Sequence, residues 1–493
     1  MSEKLILVID EGTTSTRAML FDPGGACRAV EQRDLTQHYP QPGWVEHDAN
    51  EIWQRSLECA RSLVAQAGGA DRVAAIGITN QRETIVFWDK QSGEPLGPAI
   101  VWQDRRTAEL CERLKEAGHE PELQERTGLL LDPYFSASKI AWALEHWPLL
   151  AEAGDRLALG TVESWLVWKL TGGLHVTDAT NAARTALMDI TKGLWDAALL
   201  DLFDVPPDAL PQIADCAGSF GTTLPELFGA PIPITGLAGD QQSASIGQGC
   251  LRPGETKATY GTGAFILTNT GAHPQPSRHR LLTTIAWRLD GELAYATEGS
   301  MFVAGSLIKW LRDSLGLVAS AAETDQLARS VPDSGGAVIV PALAGLGAPH
   351  WRPEARGSIS GLSFATGRAQ IVRAALEAMS HQTHDLMRAF EADGAAWQRL
   401  KIDGGMSAND WLAQDLADML GVEVERPAFV ETTALGAAML AGLGSGLFGS
   451  LEQASAMRGA VDLFQPRDLA GARERRMRDW QQALAAATGG ADA

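Results

Sequence analysis

Between positions 10 and 17 the chain reads Asp10-Glu11-Gly12-Thr13-Thr14-Ser15-Thr16-Arg17, directly after the apolar run Leu5 to Ile9. A tight turn at this point exposes successive backbone N–H groups. Gly12 lets a phosphate approach the backbone, while Thr13, Thr14, Ser15 and Arg17 add hydroxyl and guanidinium donors. That donor set suits a polyphosphate. Asp10, at the strand end, would repel such an anion unless a divalent cation stood between them, with the carboxylate holding metal-bound water. A related device recurs at Gly261-Thr262-Gly263, set between the β-prone segments Thr256 to Tyr260 and Phe265 to Thr268. Gly261 follows Gly12 by 249 positions (261 minus 12), close to half of the 493 residues.

Other chemistries find less support. There is no G-x-x-x-x-G-K-[ST] loop and no G-x-S-x-G elbow. The one G-x-G-x-x-G, Gly444 to Gly449, follows a helical pattern rather than a strand and reads as a helix-terminating loop. His381 and His384 share a helix face but lack a third ligand at a clear spacing. Arg473, Arg475, Arg476 and Arg478 alternate with Glu474 and Asp479, the pattern of a solvated helix face. The five cysteines are scattered, odd in number and form no C-x-x-C, which fits a reducing cytoplasm.

Charge narrows the partners. Against 61 acidic residues stand 41 basic ones, a net −20 that repels nucleic-acid phosphates and anionic membrane surfaces. No nucleic-acid or membrane partner is expected. An anionic nucleotide then needs a local pocket of amides and metal to reverse the surrounding sign.

The elements that must position these groups follow from pattern. Leu5 to Ile9 and Ala18 to Phe21, followed by the turn Asp22-Pro23-Gly24-Gly25, read as a hairpin opening a meander. Asp48 and Glu51 form a capping-box-like helix start, and strands are expected at Val73 to Ile78 and Thr84 to Trp88. Helical patterns occupy Thr107 to Ala117, Ser138 to His146 and Glu163 to Leu170. In the second half they occupy Phe302 to Leu311, Arg368 to Phe390, a segment from Asn409, and Ala434 to Leu443. A strand, Leu400 to Asp403, runs into Gly404-Gly405. The expectation is an α/β protein with mixed sheets, built of two related halves, 1–249 and 250–493, each lending a Gly-Thr hairpin to a shared cleft.

The segments LVIDEGTTSTRAMLFD, PGWVEHD, GITNQRET, IVWQDRRT, DPYFS, AGDQQSA, TYGTGAF, GLGAPHW, DGGMSAND and TALGAAMLAG, in this order over nearly the whole chain, resemble the FGGY carbohydrate kinases. Within that family the match is to members that phosphorylate glycerol. The resemblance implies two actin-like (ribonuclease-H-like) domains flanking a central cleft, with ATP, Mg²⁺ and substrate between them. It implies transfer of phosphate from ATP to glycerol in glycerol catabolism, in a cytoplasmic homodimer or homotetramer. Thr13, Thr14, Ser15 and Arg17 would belong to the first phosphate hairpin and Thr262 to the second. Gly305, Lys309, Gly405 and Asn409 would line the nucleotide.

On the substrate side the resemblance assigns glycerol binding to Arg82, Glu83, Tyr134, Asp240 and Gln241, with Trp102 and Phe265 as apolar walls. Arg82 as donor and Glu83 as acceptor can together satisfy vicinal hydroxyls. Asp240 is the expected base, orienting the hydroxyl and taking its proton late, since phosphoryl transfer is usually loose. Its plainer role would be to cap a helix starting near Gln241. Asp10 and Asp240 form the expected metal pair.

Three positions depart from the family pattern. Glu11 stands where Gln is commonest, adding charge near the phosphates unless it points away. Lys309 replaces a common Gln beside the nucleotide. Leu224 to Pro233 lacks the Gly-Lys-rich loop through which some members bind a sugar-bisphosphate inhibitor. Two rival readings remain: a sister kinase for a pentulose, erythritol or another polyol, and a noncatalytic ATP-switch protein of the same superfold.

Overall fold

The computed structural model describes residues 4–467 and 470–489. Its first sheet has the strand order Ile234–Gly239, Val73–Asn80, Leu5–Glu11, Ser15–Phe21, Cys27–Asp34. The first three strands are parallel, Ser15–Phe21 runs antiparallel to them, and Cys27–Asp34 pairs antiparallel with Ser15–Phe21. Burial explains the order. Leu5–Glu11 is enclosed from Ile6 onward, as a central strand covered on both faces must be, whereas Cys27–Asp34 alternates half-buried and exposed residues along the edge.

The two faces of that central strand feed different cores. Leu7 and Ile9 pack with Ala60 and Leu63 of the helix Ala49–Ala67, while Ile6 and Val8 pack with Ala434, Ala437 and Leu440 of the helix Thr432–Gly444. A helix from the second half therefore closes the sheet of the first. Its approach is close. A Cβ on Gly436 would lie 1.8 Å from the carbonyl oxygen of Ser243, and one on Gly247 would lie 2.0 Å from that of Thr432. Only glycine fits where this helix crosses Asp240–Gly247.

The second sheet repeats the topology. Its order is Leu282–Leu289, Glu292–Met301, Ala264–Gly271, Thr256–Tyr260, Arg399–Asp403, Glu423–Pro427, Val461–Phe464. Thr256–Tyr260 pairs antiparallel with its hairpin partner and parallel with Arg399–Asp403, as Leu5–Glu11 does with Ser15–Phe21 and Val73–Asn80. The half-length duplication read from the two Gly-Thr pairs is thus a repeat of strand order, and the architecture is the expected two-fold α/β, actin-like one.

Several local expectations need correction. Asp48 caps its helix by accepting from the Asn50 N–H at 2.8 Å, but Glu51 turns to the N–H and hydroxyl of Thr36 at 3.1 and 3.2 Å, so no capping box forms. The arginine run is not uniformly solvated. Arg476 grips the buried Asp415 with two bonds of 2.7 and 2.8 Å, and Arg473 donates to the carbonyl of Asp418, while Arg475 and Arg478 remain exposed. Alternation with acids hid the inward pair because the spacing of partners on another helix is invisible in the run itself. The G-x-G-x-x-G does end a helix, Thr432–Gly444.

Candidate active site

Three parallel strands of the first sheet end level with one another, with Glu11 opposite Asn80 and Asn80 opposite Gly239. Their C-terminal ends bring Asp10, Gln81 to Glu83 and Asp240 together at one edge, the usual place for a ligand in an open α/β sheet. In the second sheet the same edge carries Thr259 opposite Asp403, followed by the turns Gly261-Thr262-Gly263 and Gly404-Gly405. The two edges form opposite walls of one cleft.

The first hairpin is strapped by its carbonyls. Those of Gly12, Thr13 and Thr14 accept from Gln81 Nε2, Gln37 Nε2 and the Leu35 N–H at 3.0 to 3.1 Å. Among the described residues no protein acceptor meets the N–H of Thr13 or Thr14, which leaves these amides for an anion. Arg17 is less free than expected. Its guanidinium lies 2.7 Å from Glu431 and 3.5 Å from Asp10, so in this state it neutralises carboxylates rather than waiting for phosphate.

Glu11 points away from the turn. It is wholly buried, accepts from Ser56 Oγ at 2.8 Å, and burial pushes its carboxyl up to about 8. A protonated Glu11 stands in for the usual Gln without adding charge. Asp10 is also raised by burial, to about 6, with Arg17 opposing. Its Oδ2 is buried and accepts no hydrogen bond.

Arg82 lies at the centre of a buried polar network. Its Nη1 and Nη2 reach Glu298 at 2.6 and 3.1 Å, Nη1 also reaches Gln242 Oε1 at 3.2 Å, and Nε lies 3.2 Å from Asp240 Oδ1. Arg184 completes a buried network, donating 2.6 Å to Glu83 and 3.0 Å to Glu298. Burial alone would raise Glu298, but the Arg184 and Arg82 guanidiniums outweigh it and bring the carboxyl down to about 2. Glu83 holds a backbone φ of +62°, a strained value that its bond to Arg184 helps maintain.

Asp240 opens the helix Asp240–Gly247 as its first residue, with Gly239 as the cap position, so the capping role expected for it is not the one it takes. Its Oδ1 accepts from the Gln241 N–H at 2.7 Å. Burial raises its carboxyl, with Arg82 and Lys257 opposing; a third of the side chain is open to the cleft, where water screens that upward push.

Aromatic rings stand beside this network. Trp102 meets Tyr134 and Phe265 edge-on at 5.6 and 6.2 Å, and Arg82 lies 5.8 Å from the Phe265 ring centre. Trp102 Nε1 donates to Thr13 Oγ1 at 2.9 Å, which ties the aromatic cluster to the first hairpin. Tyr134 is set by Lys139, buried with its ammonium on the carbonyls of Pro133, Tyr134 and Phe135 at 2.6, 2.6 and 3.1 Å.

Of the residues expected to line a nucleotide, Gly305 sits on the second hairpin. The helix Gly305–Asp313 starts against the second hairpin, with the N–H of Gly305 on the carbonyl of Gly261 at 2.9 Å and that of Ser306 on Thr262 at 3.1 Å. A Cβ on Gly305 would fall 2.6 Å from the Gly261 oxygen and 3.5 Å from Met406. Gly404, at φ +82°, packs on Tyr260, and Gly405 beside it is open. Asn409 spends its side chain locally, capping Leu412 at 2.9 Å and donating to Thr324 at 3.0 Å. Lys309 is exposed one turn beyond Gly305.

Sequence reasoning missed Glu298, Arg184, Gln242, Lys139 and Lys257. The only signal for them is a charged or amide residue inside an otherwise apolar or β-prone segment, as in ATEGS and ETKATY.

Comparisons with known proteins agree with this geometry. Residues 5–247 match the N-terminal domain of the FGGY family of carbohydrate kinases, and residues 256–445 match its C-terminal domain. The glycerol kinase of Methylobacterium nodulans is 54% identical over 98% of this chain and 97% of its own. That of Rhodospirillum rubrum is 56% identical over 97% and 98%. Among solved structures, Plasmodium falciparum glycerol kinase with ADP is 35% identical with a TM-score of 0.91, covering 98% of both chains. A xylulose kinase from Lactobacillus acidophilus, 23% identical and covering 99% of both chains, shares the fold at a TM-score of 0.87. With its duplicated sheets, paired Gly-Thr hairpins and matches over both halves, the chain belongs to the FGGY family of carbohydrate kinases.

Proposed function

We propose that the protein transfers the γ-phosphoryl group of ATP to a terminal hydroxyl of glycerol, giving sn-glycerol 3-phosphate and ADP. One observation carries this reading. Arg82, Glu83, Asp240 and Gln241 stand together beside the rings of Trp102, Tyr134 and Phe265, and this cluster is bonded to the first hairpin through Trp102 and Thr13. The glycerol kinases similar to this chain support the choice of polyol.

In this reading Arg82 and Glu83 hold two hydroxyls of glycerol, and its carbon chain lies against the aromatic walls. Asp240, with a third of its side chain open to the cleft, accepts the proton of the reacting hydroxyl and so orients that oxygen's lone pair toward phosphorus. Amides of the two hairpins, around Thr13, Thr14 and Ser15 and around Thr262, stabilise the transferring phosphoryl oxygens. Gly305, Lys309, Gly405 and Asn409 border the nucleoside. Asn409 does so as the cap that fixes the local backbone.

The residues present suit Mg²⁺. Among the described residues no group of three or more His, Cys, Asp or Glu is arranged to hold a metal. Asp10, however, offers a buried oxygen that accepts no hydrogen bond and is faced by the Arg17 guanidinium at 3.5 Å, and Asp240 lies within its electrostatic reach. One or two carboxylates plus water and nucleotide phosphates are the donors Mg²⁺ usually takes beside a nucleotide. Bound there, the cation would neutralise charge on the phosphates.

The division into domains 1–249 and 250–493 is supported by sheet membership, since among the described residues no sheet draws strands from both sides of that point. Homodimer or homotetramer formation is supported by an apolar stretch exposed at Ile359, Leu362 and Phe364. Five unpaired cysteines support a cytoplasmic location. Among the described residues no helix is long and apolar enough to cross a membrane.

A coupled assay of ADP release over glycerol, erythritol and pentuloses tests the proposal. Preferred turnover of glycerol is expected; preferred turnover of a pentulose would give the site to a sister kinase.

A further inference from the structure

Lys257 lies in the strand Thr256–Tyr260 of the second half, fully buried. Its Nζ reaches across the cleft to Gln241 Oε1 at 2.5 Å, and bonds Thr259 Oγ1 at 2.9 Å and the Phe265 carbonyl at 3.4 Å. The carboxylates around it are engaged elsewhere. Asp240 and Glu298 are held by Arg82, and Asp403 accepts from Gln248 and Thr432, both at 2.7 Å. The ammonium's shortest contact is therefore a neutral amide on the other domain.

That choice of partner has a chemical consequence. A lysine ammonium has three donors and no acceptor, so the amide end facing it must be the carbonyl oxygen. Gln241 is thereby fixed with Nε2 as its remaining polar end. Next to it stands Asp240, which when ionised only accepts. A substrate hydroxyl between the two has one proton to give, and with Gln241 held as a donor that proton can go only to Asp240. Were the amide free to turn over, its oxygen would compete for the same proton, and the hydroxyl would spend part of its time pointing away from the base.

We propose that Lys257 is a positioning residue for the phosphoryl transfer. By locking the amide polarity of Gln241 from the opposite domain, it directs the proton of the reacting hydroxyl to Asp240. The same contact makes the substrate side complete only when the two cleft walls are together. This rests on the reading that a polyol hydroxyl binds at Asp240 and Gln241.

The test uses the full chain with Mg-ATP and glycerol. Lys257→Met keeps the length of the side chain and removes every donor. It should lower kcat/KM for glycerol by about 10- to 100-fold, the range for losing a charge-assisted hydrogen bond, with the KM for ATP within about twofold of the parent. Lys257→Arg, which is also donor-only, should restore most of the loss. In a Gln241→Met background Lys257→Met should add little, because the amide it orients is gone. If Lys257→Met fails to fold, Lys257→Gln carries the same test, since its amide can present either polarity and should lose activity that Lys257→Arg keeps. Wild-type kcat/KM in the donor-free variant, equal losses for glycerol and ATP, or full additivity with Gln241→Met would each overturn the proposal. Failure of the underlying reading is distinguishable, because the unmutated protein would then not turn over glycerol.

Discussion

Arg82 and Glu298 meet in a two-pronged ion pair at 2.6 and 3.1 Å, one residue from each half of the chain and both at most 2% exposed. The pair does two jobs. It aims the guanidinium whose Nε faces Asp240, and it joins the two halves of the chain.

Removing one side of this pair leaves two guanidiniums, Arg82 and Arg184, without their shared partner. Glu298→Ala should cost about 3–5 kcal/mol, the range for breaking a buried ion pair, and should raise the KM for glycerol. Denaturant titration and steady-state kinetics check it. A variant as stable as the parent would mean that water replaces the carboxylate.

Asp240→Asn keeps the shape of the base and removes its ability to take a proton. Turnover of glycerol should fall by about 10²- to 10⁴-fold while nucleotide binding persists. A noncatalytic ATP switch predicts no such loss, so full retained kinase activity in this variant would favour that rival.

Glu11 makes stability depend on pH. Its carboxyl is held at about 8 in the folded chain against 4.5 for the free side chain. The stability this held proton gives is complete below about pH 4.5 and is lost as pH rises toward 8, where the unfolded chain is already ionised. Glu11→Gln removes that dependence. Its melting temperature should match the parent's near pH 4.5, exceed it increasingly up to pH 8, and then keep a constant lead. An equal difference at every pH would mean that Glu11 is ionised in the fold.

Gly436 is the closest point of the crossing between the helices Thr432–Gly444 and Asp240–Gly247. A methyl group 1.8 Å from the Ser243 carbonyl must push the helices apart. Gly436→Ala should destabilise by at least about 1–3 kcal/mol and, because Asp240 opens one of these helices, lower kcat as well. Thermal melts paired with kinetics check both effects.

Much of the fold was legible because its signals are local. The alternating and continuous apolar runs placed the hairpins, and the spacing of Gly12 and Gly261 suggested the repeat that the strand order shows. Asp10 and the residues after Asn80 were readable as strand-end positions, where side chains leave the core, whereas Asp240 was singled out by the family resemblance. Glu298, Arg184 and Lys257 were not legible, for they lie within strands or in a turn after a short helix, and their meaning comes from partners 16 to 216 positions away. Arg17 and Glu11 show the opposite difficulty. Their motif was plain, yet only packing shows that one is paired with Glu431 and that the other is turned toward Ser56.

The most direct measurement is the rate of ADP release by the purified protein with Mg-ATP, glycerol and a pentulose compared at equal concentration. A pocket that hydrogen-bonds each hydroxyl of a three-carbon polyol between Trp102, Tyr134 and Phe265 predicts a kcat/KM for glycerol well above that for the pentulose. A pentulose turned over well, with glycerol hardly used, would contradict it.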